Sequence, residues 1–325
     1  MDRLLDPKND WAFKHVFGEE KHKGILLKFL NDMLDEHVLH GDLIKDIQFL
    51  KVELDPEITA LRQSIVDVLC KTQDGLHFIV EMQRASDSSF IQRAVEYASR
   101  VYLNQRLRSD KIKNDKGGYK KLRPVVFLAI MEETLFPDKK EYLSHHQFRD
   151  VVTYEHDLKQ MSFSFLELSK FNKEFNELEN DIEKWAYFFK NASHIGPDDL
   201  KKVLDEDSEF GEAYKVLERS CYTPEQLLEY ERFAWKEEEI QTRINDAIKQ
   251  SKEEGLAEGL AEGEKIGIEK GEKIGIEKGK AEGLAEGEKK AKIETAINLI
   301  KIGLSVEQIS LATGLSIEEI EALKL

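Results

Sequence analysis

"SIVDVLCKTQDGLHFIVEMQ", residues 64–83, decides how this chain folds. Two apolar, β-branched runs flank Gln73-Asp74-Gly75, the pattern of a β-hairpin. Strand side chains alternate faces, so Val66, Val68 and Cys70 share one side and Asp67, Leu69 and Lys71 the other. In the second strand Phe78, Val80 and Met82 share a face, and His77, Ile79, Glu81 and Gln83 share the opposite one. With Gln73-Asp74-Gly75 as a three-residue loop and Gly75 left-handed, Thr72 pairs with Leu76. Asp67 then stands across from Glu81, and Lys71 across from His77. A two-residue Asp-Gly loop would set Glu81 against Val68 and split the polar set between faces. The amphipathic pattern selects the three-residue loop.

Directly opposed residues on one face have Cβ atoms about 5 Å apart, where like charges repel. Two carboxylates so placed favour a proton or a cation between them. Oxygen ligands suit Mg²⁺ or Mn²⁺ rather than zinc. A Mg²⁺ held by one or two carboxylates acidifies a bound water and neutralises charge on a phosphate, which is the chemistry of phosphodiester hydrolysis. An isolated Asp in a strand, or one Glu-x-Gln, is ordinarily an exposed face. Here the flanking positions are strongly apolar, which favours a metal site at Asp67 and Glu81. His77 reads as a hairpin-end surface residue and Cys70 as core packing.

Working outward, residues 9–35 are helical by period, through Phe13, Phe17, Ile25, Leu26, Phe29, Leu30 and Met33, with Gly18 marking a break. "IQFLKVEL" (47–54) reads as a strand closed by Asp55-Pro56. Residues 88–109 form an amphipathic helix with Ile91, Val95, Ala98 and Tyr102 on one stripe. "RPVVFLAIM" (123–131) is a buried strand; "RDVVTYEH" (149–156) and "MSFSFLELS" (161–169) are further strands. From 174 onward the pattern is helical, with starts at Pro197-Asp198 and Thr223-Pro224.

In this order "DPKNDWAFKHVFG", the hairpin with Asp67 and Glu81-Met82-Gln83, "RAVEYASRVY" and "FSFLELSKF" resemble the PD-(D/E)XK nucleases in their E-x-Q variant, and more narrowly the Rpn family of recombination-promoting nucleases and transposases. The likeness covers roughly the first 170 residues. It implies an α/β chain with a restriction-endonuclease-like αβββαβ core, and metal-dependent DNA cleavage with Mg²⁺, or Mn²⁺, as cofactor. Asp67 and Glu81 would be the metal ligands. Gln83 stands where most relatives carry the lysine that stabilises the transition state. Lys71, on the same face, is the expected replacement cation, and Asp10, one turn before Lys14, an accessory acid. The rival reading is a catalytically inactive DNA-binding or oligomeric scaffold that keeps the fold.

A net charge of −16 argues against broad nucleic-acid binding, yet residues 84–123 hold eleven Lys/Arg against four Asp/Glu. Arg93, Tyr97 and Arg100 fall on one helix face there, ahead of "RLRSDKIKNDKGGYKKLR", and are expected to contact DNA phosphates. Residues 131–240 carry fourteen Lys/Arg against twenty-seven Asp/Glu. Two distant cysteines exclude a disulfide framework and zinc spacing. No apolar run approaches the ~18 residues of a membrane span. "MDRLLDPKNDW" lacks a secretory stretch, so the expected location is the cytoplasm.

The expected organisation is a nuclease-like domain over 1–170, an acidic helical region over 171–250, a glycine-repeat helix or spacer over 251–290 and a helix-turn-helix-like end over 291–325. Glycine recurs every fourth residue from 255 to 287, which rotates the stripe about 40° per unit on an α-helix. The repeat reads first as a spacer and second as a surface for self-association. Ser305/Gln308 and Ser316/Glu319 have capping-box spacing. The last helix offers Glu318, Glu319 and Glu321 where a DNA-reading helix needs donors, so packing or dimerisation is its expected role.

Overall fold

The computed structural model describes residues 3–34, 38–39, 41–54, 64–85, 87–110, 118–205 and 208–324. They fall in two compact units, 1–241 and 242–325.

The first unit opens with α1 (Asp10–Phe17) and α2 (Lys23–Leu34). Asn9 caps α1 through its side-chain oxygen, which accepts from the Trp11 and Ala12 N–H groups. Gly18 ends the helix where a Cβ would lie 2.7 Å from the Lys14 carbonyl oxygen. The strands are β1 (Ile47–Phe49), β2 (Glu53–Leu54), β3 (Ser64–Ile65), β4 (Val68–Thr72), β5 (His77–Gln83), β6 (Val125–Met131), β7 (Leu143–Gln147) and β8 (Met161–Glu167). Helix α3 (Phe90–Asp110) lies between β5 and β6 in sequence. Six strands form one sheet in the order β1-β4-β5-β6-β8-β7, with β5, β6 and β8 parallel and the other pairs antiparallel. Helices α1–α2, strands β1, β4 and β5, helix α3 and strand β6 follow the expected αβββαβ order.

The loop is as anticipated. Gly75 adopts φ +87°, the Thr72 N–H donates to the Leu76 carbonyl at 2.9 Å, and the Gly75 N–H donates back to the Thr72 carbonyl at 3.0 Å. The register runs from Lys71↔His77 to Val68↔Val80, which carries on to Asp67 across from Glu81. Strand β6 is buried at all seven positions, as its β-branched sequence requires.

One sheet face packs Val68, Cys70, Phe78, Val80, Leu128 and Ile130 against Phe13, Phe17, Phe29, Trp185, Phe188 and Phe189. The last three come from α4 (Asp181–Asn191), which is joined by α5 (Pro197–Asp205) and α6 (Glu209–Val216). The acidic helical region therefore does not stand apart from residues 1–170: its apolar face completes their core, and Glu183 is buried there with Tyr142 and Lys173 as partners. On the other sheet face Leu69, Ile79, Phe127 and Phe165 meet α3.

Three local expectations need correction. Residues 47–54 form two strands rather than one. The Leu50 N–H still donates to Leu69 and the Val66 N–H to Val52, but the chain bends at Val52 and again at Asp67, and β2 pairs with β3 in a separate two-stranded sheet; Asp55-Pro56 lies outside the described residues. Residues 149–156 are turns, not a strand. The Asp150 carboxylate accepts from the Val152 and Thr153 N–H groups at 2.7 Å each, Tyr154 takes φ +61°, and Val151 and Val152 are exposed. The edge strand is β7 instead. On α3 the buried stripe is Phe90, Ala94, Ala98 and Val101, so Ile91 and Val95 point outward; Phe90 and Val101, flanking the periodic set, found the core first.

The second unit holds the later part of α7 (Pro224–Lys301), then α8 (Val306–Thr313) and α9 (Ile317–Ala322). Residues 251–290 are helical and exposed throughout, and a Cβ built on any repeat glycine meets open space. Both capping boxes form, and Gly314, at φ +71°, closes α8. Ala296, Ile309, Leu315 and Ile320 make a small core. Among the described residues, no helix is long and apolar enough to cross a membrane.

Candidate functional site

The bend at Asp67 separates β3 from β4 along the chain, and this frees backbone groups for side chains. The Asp67 N–H donates to Glu81 Oε1 at 3.1 Å, and the Met82 N–H donates to Asp67 Oδ2 at 2.9 Å. Each carboxylate is thus fixed by the other strand's backbone; Glu81 is buried, and Asp67 is partly buried with its side chain 16% exposed. Burial, with Asp10 nearby, raises the Asp67 carboxyl to about 6 against the opposing Met82 N–H and Lys14. Burial and then the charge of Asp67 push Glu81 well above the usual carboxylate range. The pair is short of positive charge.

Helix α1 brings the cation. Asp10 in its first turn and Lys14 one turn later pair at 2.6 Å, acid before base, the favourable order on a helix. Lys14 Nζ also lies 3.5 Å from Asp67 Oδ1. Burial opposes its charge, but Asp10 and Asp67 together raise the Lys14 pKa above the ordinary lysine value. The expected replacement cation, Lys71, is not here. It pairs with His77 at the turn end of the hairpin, next to Gln48 of β1, four residues and about 13 Å along the strand from Asp67. Sharing a face was not enough, because a strand separates residues along its length as effectively as across it.

Gln83 has both ends of its amide engaged. Nε2 donates to the Ala85 carbonyl at 2.8 Å, and Oε1 accepts from Arg93 Nη2 at 2.9 Å. Arg93 also meets Asp87 at 3.1 Å and lies over the Phe90 ring. Tyr97 is half-buried on the same helix, and burial followed by the charge of Glu81 raises its phenol. Arg100 donates twice to Glu96, at 2.9 and 2.6 Å. Of the three anticipated phosphate contacts, Arg93 reaches the Glu-x-Gln end of the sheet, whereas Arg100 stays with its own helix. Of the basic tail, residues 111–117 lie outside the described residues.

A cavity of about 680 Å³ has Asp10 and Met82 in its wall, the residues that meet Lys14 and Asp67. It exposes a trio that reading the sequence missed: Glu132, just beyond β6, accepts from Lys8 at 2.6 Å and from Arg84 at 3.1 Å. Burial works against the Glu132 charge, yet the two cations hold its pKa below the usual range. Arg84 directly follows Gln83, the one signal the sequence carried. Among the described residues, no three His, Cys, Asp or Glu side chains gather round one point as a ready-made metal cage. Asp67 and Glu81 are the candidate ligands, a two-carboxylate set of the kind a hard cation completes with water or phosphate oxygens.

Comparison with known proteins adds the following. The family model described as a PD-(D/E)XK nuclease family transposase matches residues 7–247. No curated protein matches the chain, and no solved structure does.

Proposed function

The chain belongs to the PD-(D/E)XK nuclease family of transposases, and from that premise we propose that it is a DNA endonuclease dependent on Mg²⁺ or Mn²⁺. The observation that carries this reading is the Asp67–Glu81 pair: a partly buried and a buried carboxylate, opposed at the bend before β4 and on β5, with raised pKa values and one cation at 3.5 Å. Desolvated carboxylates in this state fit a divalent ion, and Asp67 and Glu81 would hold it. When bound, the ion supplies an acidified water and neutralises charge on the phosphate. The protein's own part is positioning. The Met82 and Asp67 N–H groups hold the two carboxylates in place, and Gln83, clamped by Ala85 and Arg93, is a polar wall rather than a charge. Arg93, Tyr97 and Arg100 would contact backbone phosphates, with Asp87 and Glu96 giving way to the incoming anion. Cuts of this type yield the DNA ends from which recombination or transposition proceeds. The exposed glycine repeat supports a spacer role, and sedimentation of the full chain at rising concentration tests self-association.

The test is plasmid DNA incubated with the full chain and Mg²⁺ or Mn²⁺, beside Asp67→Ala. Cleavage by the wild type and at least a ~10³-fold loss in the variant are expected; equal behaviour of the two proteins overturns the reading. DNA affinity should fall as salt rises. The engaged amide of Gln83, with no lysine at that position, favours one alternative, the inactive scaffold, which would bind DNA in the same salt-dependent way and leave it uncut.

A further inference from the structure

A nuclease centre of this kind needs a positive charge beside the scissile phosphate, and Gln83 cannot provide one. The nearby cations are unequal. Arg93 is held by Gln83 and Asp87, Lys8 and Arg84 are held by Glu132, and Lys71 lies at the far end of the hairpin. Lys14 alone among these is set against a carboxylate of the pair. We infer that Lys14, from helix α1, is the catalytic cation of this site, taking the role that the strand position of Gln83 leaves open. The inference rests on the nuclease reading above.

Three observations on separate elements support it. First, the mount is rigid: Asn9 caps α1, and Trp11, Ala12, Phe13, Val16 and Phe17 bury its other side, so the Asp10–Lys14 edge is fixed relative to the sheet. Second, the ammonium is tethered twice, to Asp10 at 2.6 Å and to Asp67 at 3.5 Å. The looser contact is the one to the candidate metal ligand, so an ion on Asp67 can be accommodated without releasing Lys14 from Asp10. Third, the side chain is 38% exposed, more open to solvent than Asp67 at 16% or the buried Glu81. Lys14 therefore faces the carboxylates and the solvent at once.

In the reaction Lys14 donates hydrogen bonds and keeps its proton. Water's oxygen bonds to phosphorus, the P–O ester bond breaks, and the leaving oxygen departs as an alcohol with one of the water's protons relayed through solvent. The ammonium offsets charge building on the phosphate, so removing it should slow the chemical step without removing the metal ligands.

The experiment uses the full chain with three readouts: single-turnover plasmid cleavage, Mn²⁺ binding by calorimetry without DNA, and thermal unfolding. Lys14→Gln is expected to slow cleavage by about 10²–10³-fold, as loss of one charge stabiliser does. Mn²⁺ affinity should stay level or tighten, because an ammonium no longer competes at Asp67. Lys14→Cys in a Cys221→Ser background should be equally slow, and alkylation with 2-bromoethylamine, which rebuilds an ammonium at the same reach, should restore most of the rate; Cys70 is fully buried and spared. Cleavage by Lys14→Gln within threefold of wild type overturns the inference. So does a tenfold loss of Mn²⁺ affinity, which would make Lys14 a builder of carboxylate geometry, and so does alkylation, verified by mass, that restores nothing. If wild type cuts and Lys14→Gln cuts as fast, only this inference falls. If wild type leaves DNA intact with either metal, the nuclease reading falls and takes this one with it.

Discussion

Glu81 on β5 and Glu167 on β8 are both buried glutamates on one sheet, and the fold treats them oppositely. Glu167 is fully covered, and every demand of its charge is met. Oε1 accepts from the Leu135 and Phe136 N–H groups at 2.7 and 2.9 Å, and Oε2 meets Lys170 at 2.7 Å. Glu81 receives one N–H, at 3.1 Å, and faces a second carboxylate. A core neutralises a buried charge with donors and a counter-ion; a site leaves it short, so that the missing charge must come from a ligand. In this molecule the contrast separates carboxylates that hold the fold from carboxylates available for chemistry.

The strongest way to break that contrast is to cut each carboxylate and compare signs. Glu167→Ala strands Lys170 and two loop N–H groups, and urea unfolding should show a loss of about 3–5 kcal/mol. Asp67→Asn should do the reverse without metal at pH 7.5, stabilising the chain by about 1–3 kcal/mol, because the Asp67 charge costs more in the folded state than in the unfolded chain and the amide removes that cost. Substitutions with the same sign at both positions would erase the distinction.

The next effect is in pH. Asp67 titrates at about 6 in the folded chain and near ~3.9 when unfolded, so between these values the folded state holds the extra proton. Metal-free stability attributable to Asp67 therefore falls as pH rises from ~4 to ~6 and is flat above. Melting curves across that window should show the slope in wild type and a shallower one in Asp67→Asn.

The smallest effect comes from a region with no buried charge at all. Gly263 lies in an exposed helix with open space at its Cβ, so Gly263→Ala should add about 1 kcal/mol of local helix stability, read as helicity by circular dichroism. The rate of DNA cleavage should not change.

Much of the candidate site was legible because the information was local. Loop length and face alternation fixed the hairpin register, and with it the opposition of Asp67 and Glu81. The buried run of β6 and the starts of α5 and α7 followed from equally short-range signals. The errors share a different cause. Val151, Val152 and Tyr154 have the side chains of a strand, but Asp150 captured their backbone in a turn. The α3 stripe was misplaced because Ile91 and Val95 fit the helical period, while Phe90 and Ala94 were the residues facing Phe127 and Phe165 across the layer.

What the sequence determined by itself is therefore the pairing of two carboxylates on neighbouring strands, since a strand's period of two and a three-residue loop leave no other register that keeps the polar set together. What only the tertiary structure decided is which cation stands beside them. Lys71 shares their hairpin but is held away by the rise of the strand; Lys14, 53 residues upstream of Asp67, reaches Asp67 because the buried face of α1 packs into the core and so fixes the position of its Asp10–Lys14 edge. Covalent spacing sets neighbours within an element, and burial of apolar faces sets neighbours between elements.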